Sequence, residues 1–242
     1  MDNQDTQEVE TEVTITQSVV KNAGGLALFA FITAGVIAMV QLFTSDQIAE
    51  NIALAQAKAL YEIVPQTQVD NDLLATTLNL SSINNDPAMN TQLLGEFDED
   101  VYAHIAIKDN QVRSFIFPSM TKHGYTTDIH LLVGINIDGT VAGVRIVDHK
   151  ETPGLGDKIE LKKSNWVLDF NGKSLTVPSY ENWKVKKDGG EFDQFTGATI
   201  TPRAIVAAVK GALDFFENHK EQLLKQANTL IQNNDTSLKV KS

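Results

Sequence analysis

The sequence predicts an α+β domain with antiparallel strands and flanking helices, preceded by one amino-terminal transmembrane helix. An uncharged run of twenty residues lies near the amino end, two alternating-strand hairpins lie in the middle, and an amphipathic helical stripe lies near the carboxyl end. Strands followed by separate helices are typical of α+β domains. A length of 242 residues suits one domain of ordinary size plus additional segments.

The composition narrows the possible functions. With 42% apolar and 21% charged residues the chain is expected to fold. A formal net charge of −11 argues against a nucleic-acid partner, because phosphate binding requires a basic face. The chain has no cysteine, which excludes thiol catalysis, disulfides, Cys-ligated zinc and all-Cys iron–sulfur clusters.

Residues 1–23 form a polar, acidic tail, and residues 24–44 are predicted to cross a membrane. The run from Gly24 to Phe43 is the length that spans a bilayer core. Its ten Leu, Ile, Phe and Val residues favour insertion by about 3 to 6 kcal/mol. The alternatives are a buried core helix and a cleaved signal peptide, but a signal peptide has a basic start and a shorter apolar run. We therefore expect a retained anchor.

The orientation of this anchor is suggested by its flanking charges. Lys21 lies beside the amino end of the span, whereas the first basic residue after it is Lys58. Because positive charge favours the cytoplasmic side, this pattern predicts a cytoplasmic amino terminus and an external main domain.

Residues 45–100 are predicted to contain an amphipathic helix and a connecting segment. Ser45 is a candidate N-cap and Pro65 a stop signal, and the apolar positions between them share one face: Ile48, Ile52, Ala55, Ala59 and Ile63. Residues 66–100 are rich in Asn, Asp, Thr and Ser and are predicted to be irregular.

Residues 101–227 are predicted to form the main domain, followed by a polar tail over 228–242. One hairpin is predicted around Asp109-Asn110-Gln111 and a stronger one around Asp138-Gly139-Thr140. A helical turn is expected within 159–170. The final helix, 202–224, carries an apolar stripe of Ile205, Val209, Ala212, Phe216 and Leu223.

The segment from Asp193 to Pro202 is the first candidate site. Pro202 has the properties of a first helical residue, and Thr201 those of the N-cap before it. Thr199 would then lie just outside a helix amino end, where a hydroxyl could hydrogen-bond a phosphate or be esterified to one. Gly197 would allow close backbone approach. The alternative is a capped helix after a glycine turn.

The second candidate is the loop from Glu151 to Asp157, which follows a strand. One proline and two glycines make a tight loop where backbone could lie close to a planar ligand, although a plain turn has the same composition. The loop matches neither a Walker nor a dinucleotide fingerprint. No metal-ligand spacing and no Ser/His/Asp arrangement stand out, so neither a metal site nor a catalytic residue is predicted.

Taken together, three segments carry a family resemblance: ETPGLGDKIE (151–160), KKDGGEFDQF (186–195) and TGATITPRAIV (196–206). With the single amino-terminal span, they resemble the G subunit of the Rnf/Rsx ion-translocating electron transport complex, from about Ile48 to Leu213. The resemblance implies an FMN-binding domain whose FMN is joined through a phosphoester to a threonine. Its site residues here would be Thr199 as the acceptor, with Thr196, Gly197, Ala198 and Asp193 in the motif and Thr152, Gly154 and Leu155 near the flavin.

The resemblance also implies a function and partners. The chain would relay electrons within a complex that couples electron transfer to ion translocation in the bacterial cytoplasmic (inner) membrane, as a single-pass subunit with its domain on the periplasmic side. Its partners would be other membrane subunits, a flavin transferase and membrane lipid. Alternatives are the C subunit of the sodium-translocating NADH:quinone reductase, a flavin-free membrane-tethered binding or assembly subunit, and a stand-alone flavin-dependent reductase.

Overall fold

A computed structural model of the chain describes residues 15–81 and 89–240. In chain order its main elements are helix α1 (Ile15–Ile63), strands β1 (Thr77–Asn79), β2 (Tyr102–Lys108), β3 (Gln111–Thr121), β4 (Ile129–Asn136) and β5 (Val141–Asp148), and helix α2 (Ile200–Val240). Short 3₁₀ turns, among them Gly156–Ile159 and Trp166–Phe170, connect β5 to α2. They include the helical turn expected within 159–170.

The five strands form one antiparallel sheet in the order β1-β2-β3-β4-β5. The β2–β3 hairpin turns at Asp109 and Asn110, whose φ angles of 53° and 58° are those of a type I′ turn. The β4–β5 hairpin turns at Gly139, and the Asp138 carboxylate accepts the N–H of Thr140 at 2.9 Å. Both predicted hairpins are confirmed.

Helix α2 packs on one face of this sheet. Phe115 and Phe117 of β3 both point to that face because they are two residues apart. The Phe117 ring meets Phe215 edge-on at 5.4 Å, and Phe115 lies 6.2 Å from Phe216. All four side chains are fully buried, so this aromatic layer forms the centre of the main core.

The last turns of α1 cover the opposite face of the sheet. Leu60 and Ile63 are buried there against Ile116, the residue between the two β3 phenylalanines. Gly134 and Gly143 lie under Ile63, and a side chain at Gly134 would collide with it. The sheet is therefore buried on both faces.

The amino-terminal part of α1 belongs to a separate unit, since the described chain divides into two compact units between Ala53 and Leu54. Among the described residues, Ser18–Ser45 is the one helical segment long and apolar enough to cross a membrane, and its large apolar side chains are exposed. Such a surface is unfavourable in water and suits a lipid environment. The predicted membrane helix is thus confirmed as a candidate span.

The predicted break between membrane helix and amphipathic helix is wrong. Helix α1 continues through Ser45, whose hydroxyl donates to the Leu42 carbonyl at 3.3 Å instead of capping a new helix. Neither glycine nor proline occurs between Gly35 and Pro65, so nothing interrupts the helix before Pro65. Residues 15–23 of the predicted tail are also helical; residues 1–14 lie outside the described chain.

Two further segments are more ordered than predicted. Within 66–100, β1 pairs with β2 as an edge strand of the sheet. The segment 228–240, predicted as a polar tail, continues α2, and Ala227 and Ile231 extend its buried stripe. Residues 82–88 and 241–242 lie outside the described chain.

Candidate functional site

Residues 195–198 form a tight turn that is held in place by a buried aromatic side chain. The Ala198 N–H donates to the Phe195 carbonyl at 3.1 Å, and Gly197 has φ of +83°, as the third residue of a type II turn requires. The buried Phe195 ring packs edge-on against Trp166 at 5.2 Å. This anchoring leaves Thr196 and Gly197 exposed at the tip.

Thr199 occupies the position just before α2. The helix begins at Ile200, and the Thr199 carbonyl accepts the N–H of Arg203 at 3.3 Å, so Thr199 stands at the N-cap position. Thr199 is half-buried, and its hydroxyl has no hydrogen-bond partner within the described residues. The first turn of a helix has N–H groups without intrahelical partners and the positive end of the dipole. A free hydroxyl therefore lies where an anion is favoured.

Thr201 does not have the predicted N-cap role. It lies inside the first turn of α2 and is almost fully buried, and its hydroxyl donates to Oε2 of Glu151. Pro202 is the third helical residue and not the first. This position also tolerates proline, because the N–H groups of the first turn have no partner in the helix.

The loop from Thr152 to Gly156 lies beside this turn. The Thr152 carbonyl accepts the N–H groups of Leu155 and Gly156 at 3.1 and 3.0 Å, which closes the loop. Gly154 has φ of +78° and open space around it. Leu155 is 41% exposed, and a Cβ added to Gly197 would lie 3.5 Å from its Cδ2. The two predicted segments are thus adjacent in the fold.

Glu151 ties these segments together. Its carboxylate is buried, with Oε1 accepting the Thr126 N–H at 3.0 Å and Oε2 accepting the Thr201 hydroxyl. Gly156 leaves room for it, since a Cβ there would lie 2.9 Å from Glu151 Oε2. Neither Glu151 nor Thr201 was predicted from the sequence as a site residue. The only local signal was an acidic residue between a strand and a Gly/Pro loop, which is equally typical of a solvated turn.

His149 fixes the start of the same loop. Its Nδ1 accepts the Glu151 N–H at 3.0 Å, and its Nε2 lies 2.9 Å from Glu160 Oε1. Because Nδ1 accepts, Nε2 carries the proton and donates to Glu160. The imidazole therefore connects the backbone at the start of the loop to the Glu160 side chain.

Ion pairs surround the turn on its exposed side. The Asp193 carboxylate, predicted to belong to the motif, pairs with Lys186 at 2.7 Å, while the Asp193 carbonyl accepts the Trp166 indole N–H at 2.8 Å. Arg203 donates to both oxygens of Asp188, at 2.6 and 2.8 Å. This hydrogen bonding lowers the pKa of Asp188. Arg203 thereby brings a guanidinium to the first turn of α2.

The structure places the eight predicted site residues on two neighbouring loops. Leu155 and Gly197 are in contact range, Thr152 and Gly154 share the Leu155 loop, Thr196 is exposed, and Ala198 packs against the core. No group of His, Asp or Glu suited to a metal ion occurs within residues 15–81 and 89–240.

Comparisons with known proteins agree with this layout. A family model described as an FMN-binding domain matches residues 124–214, and one described as the RnfG N-terminal region matches residues 13–63. The chain is 42% identical to the G subunit of the ion-translocating oxidoreductase complex of Vibrio vulnificus, over 85% of this chain and 93% of that protein. The chain belongs to this G-subunit family. The relative of the same name from Pseudomonas aeruginosa is 45% identical, over 86% and 93% of the two chains.

The match to the FMN-binding family covers both candidate loops. The matched FMN-binding region begins at Gly124 and ends at Asp214, so it contains both loops and the start of α2. The surroundings fit FMN. A hydroxyl at a helix amino end that has no partner among the described residues suits a phosphate, and exposed Leu155 beside Gly154 offers an apolar surface with open space. The alternative of the quinone reductase C subunit is not favoured, because the relatives named above are G subunits of the ion-translocating complex.

Proposed function

We propose that the chain carries FMN covalently, through a phosphoester on Thr199, and relays electrons in a membrane complex that couples electron transfer to ion translocation. The observation that carries this proposal is the Thr199 hydroxyl, which has no hydrogen-bond partner in the described chain and stands at the amino end of α2. FMN binding and membership of the complex follow from the family; the phosphoester and its position are our inference.

The residues around Thr199 have separate tasks in this proposal. The phosphate would be held by the N–H groups of Ile200 and Thr201 and by the dipole of α2. Leu155 and the Gly154 backbone would lie against the isoalloxazine and exclude water from one side of it. When bound, the flavin supplies the redox chemistry, so this chain needs no acid–base pair of its own.

A covalent bond suits a protein whose domain faces the outside of the cell, where lost FMN would not be replaced. Attachment requires a flavin transferase, which we propose as a maturation partner. It would transfer the FMN phosphoryl group from a flavin dinucleotide to the Thr199 hydroxyl, breaking the diphosphate bond and releasing a nucleoside monophosphate and the hydroxyl proton. The membrane helix keeps the flavin domain at high effective concentration near the other members of the complex, and lipid surrounds its exposed apolar side chains.

The periplasmic placement of the domain is likewise a proposal, supported by Lys21 at the amino end of the span. The cysteine-free sequence allows a direct test. Asn171→Cys, at an exposed position of the domain, should react with a membrane-impermeant maleimide in intact spheroplasts, and Asn3→Cys should not. The reverse pattern would invert the topology.

The covalent bond is tested by expressing the full chain together with a flavin transferase. We expect the denatured protein to keep its yellow absorbance and an FMN mass increment. Thr199→Ala should lose both, whereas the control Thr196→Ala, on the same turn, should keep them. A wild type that loses its flavin on denaturation would overturn the phosphoester, and a native wild type without flavin would favour the flavin-free assembly role. Turnover by the isolated domain with soluble donor and acceptor would favour a stand-alone reductase.

A further inference from the structure

Glu151 and Asp157 are the buried carboxylates among the described residues, and their surroundings differ. Oδ1 of Asp157 has no partner in the described chain, whereas both oxygens of Glu151 accept hydrogen bonds. A buried carboxylate is costly unless its oxygens are bonded, so Glu151 occupies a site built for it.

The partners of Glu151 come from distant parts of the chain. Thr126, in the connection between β3 and β4, precedes it by 25 residues, and Thr201, in α2, follows it by 50. Glu151 itself opens the loop that ends at Gly156. One side chain therefore joins three segments that no backbone hydrogen bond in the described chain connects at this point.

The packing around the carboxylate leaves little freedom. A Cβ at Gly156 would lie 2.9 Å from Glu151 Oε2 and 3.0 Å from Thr201 Oγ1, and a Cβ at Gly124 would lie 3.1 Å from Glu151 Oε1. The two glycines thus allow the surrounding backbone to close around the hydrogen bonds. His149 holds the Glu151 backbone N–H from the other side.

We infer that Glu151 is a positioning residue that locks the Thr152–Leu155 loop to the first turn of α2, and so presents Thr199 for flavin attachment. Thr199 lies two residues before the anchored Thr201, and Gly197 lies in contact range of Leu155. The Glu151 carboxylate therefore fixes the positions of both candidate loops. The presentation of Thr199 for attachment rests on the proposed function, but the lock between the loop and α2 does not require flavin.

The lock is tested first by amide hydrogen exchange on the full-length protein in detergent. The reporters are the bonded N–H groups of Gly156, Ala198 and Arg203, and the N–H groups of β3 and β4 monitor the sheet. Glu151→Ala and Thr201→Val should speed exchange at the reporters by about tenfold or more relative to the sheet. Glu151→Gln should restore slow exchange, because its amide can accept from Thr126 and donate to Thr201.

Ser119→Ala is the matched control for Thr201→Val. It removes another buried hydroxyl, which donates to the Leu94 carbonyl at 3.0 Å elsewhere in the domain. It should change exchange in the sheet without a selective change at the three reporters. Uniform exchange changes in Glu151→Ala, or none at all, would overturn the lock.

The second measurement is the rate at which a flavin transferase modifies each variant. Glu151→Ala and Thr201→Val should slow attachment to Thr199 by about tenfold, Glu151→Gln should recover it, and Ser119→Ala should match wild type. Attachment at the wild-type rate in Glu151→Ala would overturn the presentation of Thr199. Absence of flavin on Thr199 in the wild type would instead overturn the proposed function, and hydrogen exchange would still decide the lock.

Discussion

Thr199 and Thr201 stand two positions apart at the start of α2, but their hydroxyls have different surroundings. The Thr201 hydroxyl is buried and donates to Glu151, so esterifying it would leave a buried carboxylate oxygen without its donor. The Thr199 hydroxyl has no such bond in the described chain, so esterification of Thr199 breaks no hydrogen bond there. The difference in surroundings favours Thr199 as the acceptor.

Gly154 is the residue of the Leu155 loop whose backbone conformation is most demanding. Its φ of +78° is unfavourable for residues with a side chain, by about 1 to 2 kcal/mol, although a side chain would meet open space. Gly154→Val should therefore change flavin fluorescence and potential while lowering stability only modestly. Gly154→Asn, which tolerates positive φ, is the control and should resemble wild type. An unchanged flavin signal in the valine variant would remove this loop from the site.

His104 gives the domain a predicted pH response. Burial lowers the pKa of His104, although its Nδ1 bonds the Leu73 carbonyl at 2.8 Å. As pH falls below about 6.5, His104 is protonated in the unfolded chain before it is protonated in the folded domain. The stability present above that pH is therefore lost between about pH 6.5 and the lower pKa of the folded state. Urea unfolding between about pH 5 and 7.5 should show a shallower acid-side loss in His104→Gln. The exposed His123→Gln is the control, and an identical slope in His104→Gln and wild type would contradict this account.

At the scale of elements, the end of α1 is attached to β5 by a partly buried ion pair. Arg145 donates to the Glu62 carboxylate at 2.9 Å and to the Glu62 carbonyl at 2.8 Å, and its side chain is 11% exposed. The carbonyl contact also satisfies a group in the last turn of α1, where intrahelical partners are lacking.

Removing the Glu62 carboxylate should therefore destabilise the domain. We expect Glu62→Ala to lower the free energy of unfolding by about 1.5 to 3 kcal/mol, because it leaves the Arg145 guanidinium short of a partner. Glu96→Ala, which breaks the exposed pair with Lys122, is the control and should cost less. Urea denaturation of both variants provides the measurement, and equal losses would show that burial of Arg145 adds nothing.

Which elements could be predicted from sequence depended on whether their determinants are local. The two hairpins were predictable because their turn residues and strand alternation are adjacent in the chain. Strand β1 was not predictable, because its three residues are too few to show the alternation of a strand. They are ordered by pairing with β2. The Glu151–Thr201 contact joins residues 50 positions apart, so no local pattern reveals it. The family motifs indicated which loops matter, but not what holds them together.

At the scale of the whole molecule, the end of α1 belongs to the domain and not to the anchor alone. The second compact unit begins at Leu54, and Leu60, Ile63 and Val64 are buried in it. Deleting residues 1–44 should therefore yield a soluble domain with a cooperative urea transition. Deleting residues 1–66 should not, because one face of the sheet loses its apolar cover. Equal cooperativity of the two truncations would show that the helix end is dispensable.

Peptide mapping locates the flavin on the chain and so shows whether Thr199 carries it. Full-length protein made with a flavin transferase is digested, and the peptide containing residues 194–203 is fragmented by tandem mass spectrometry. We expect an FMN increment that appears only in fragments containing Thr199. An increment on Thr196 or Thr201, or an unmodified peptide from protein that is yellow after denaturation, would contradict it.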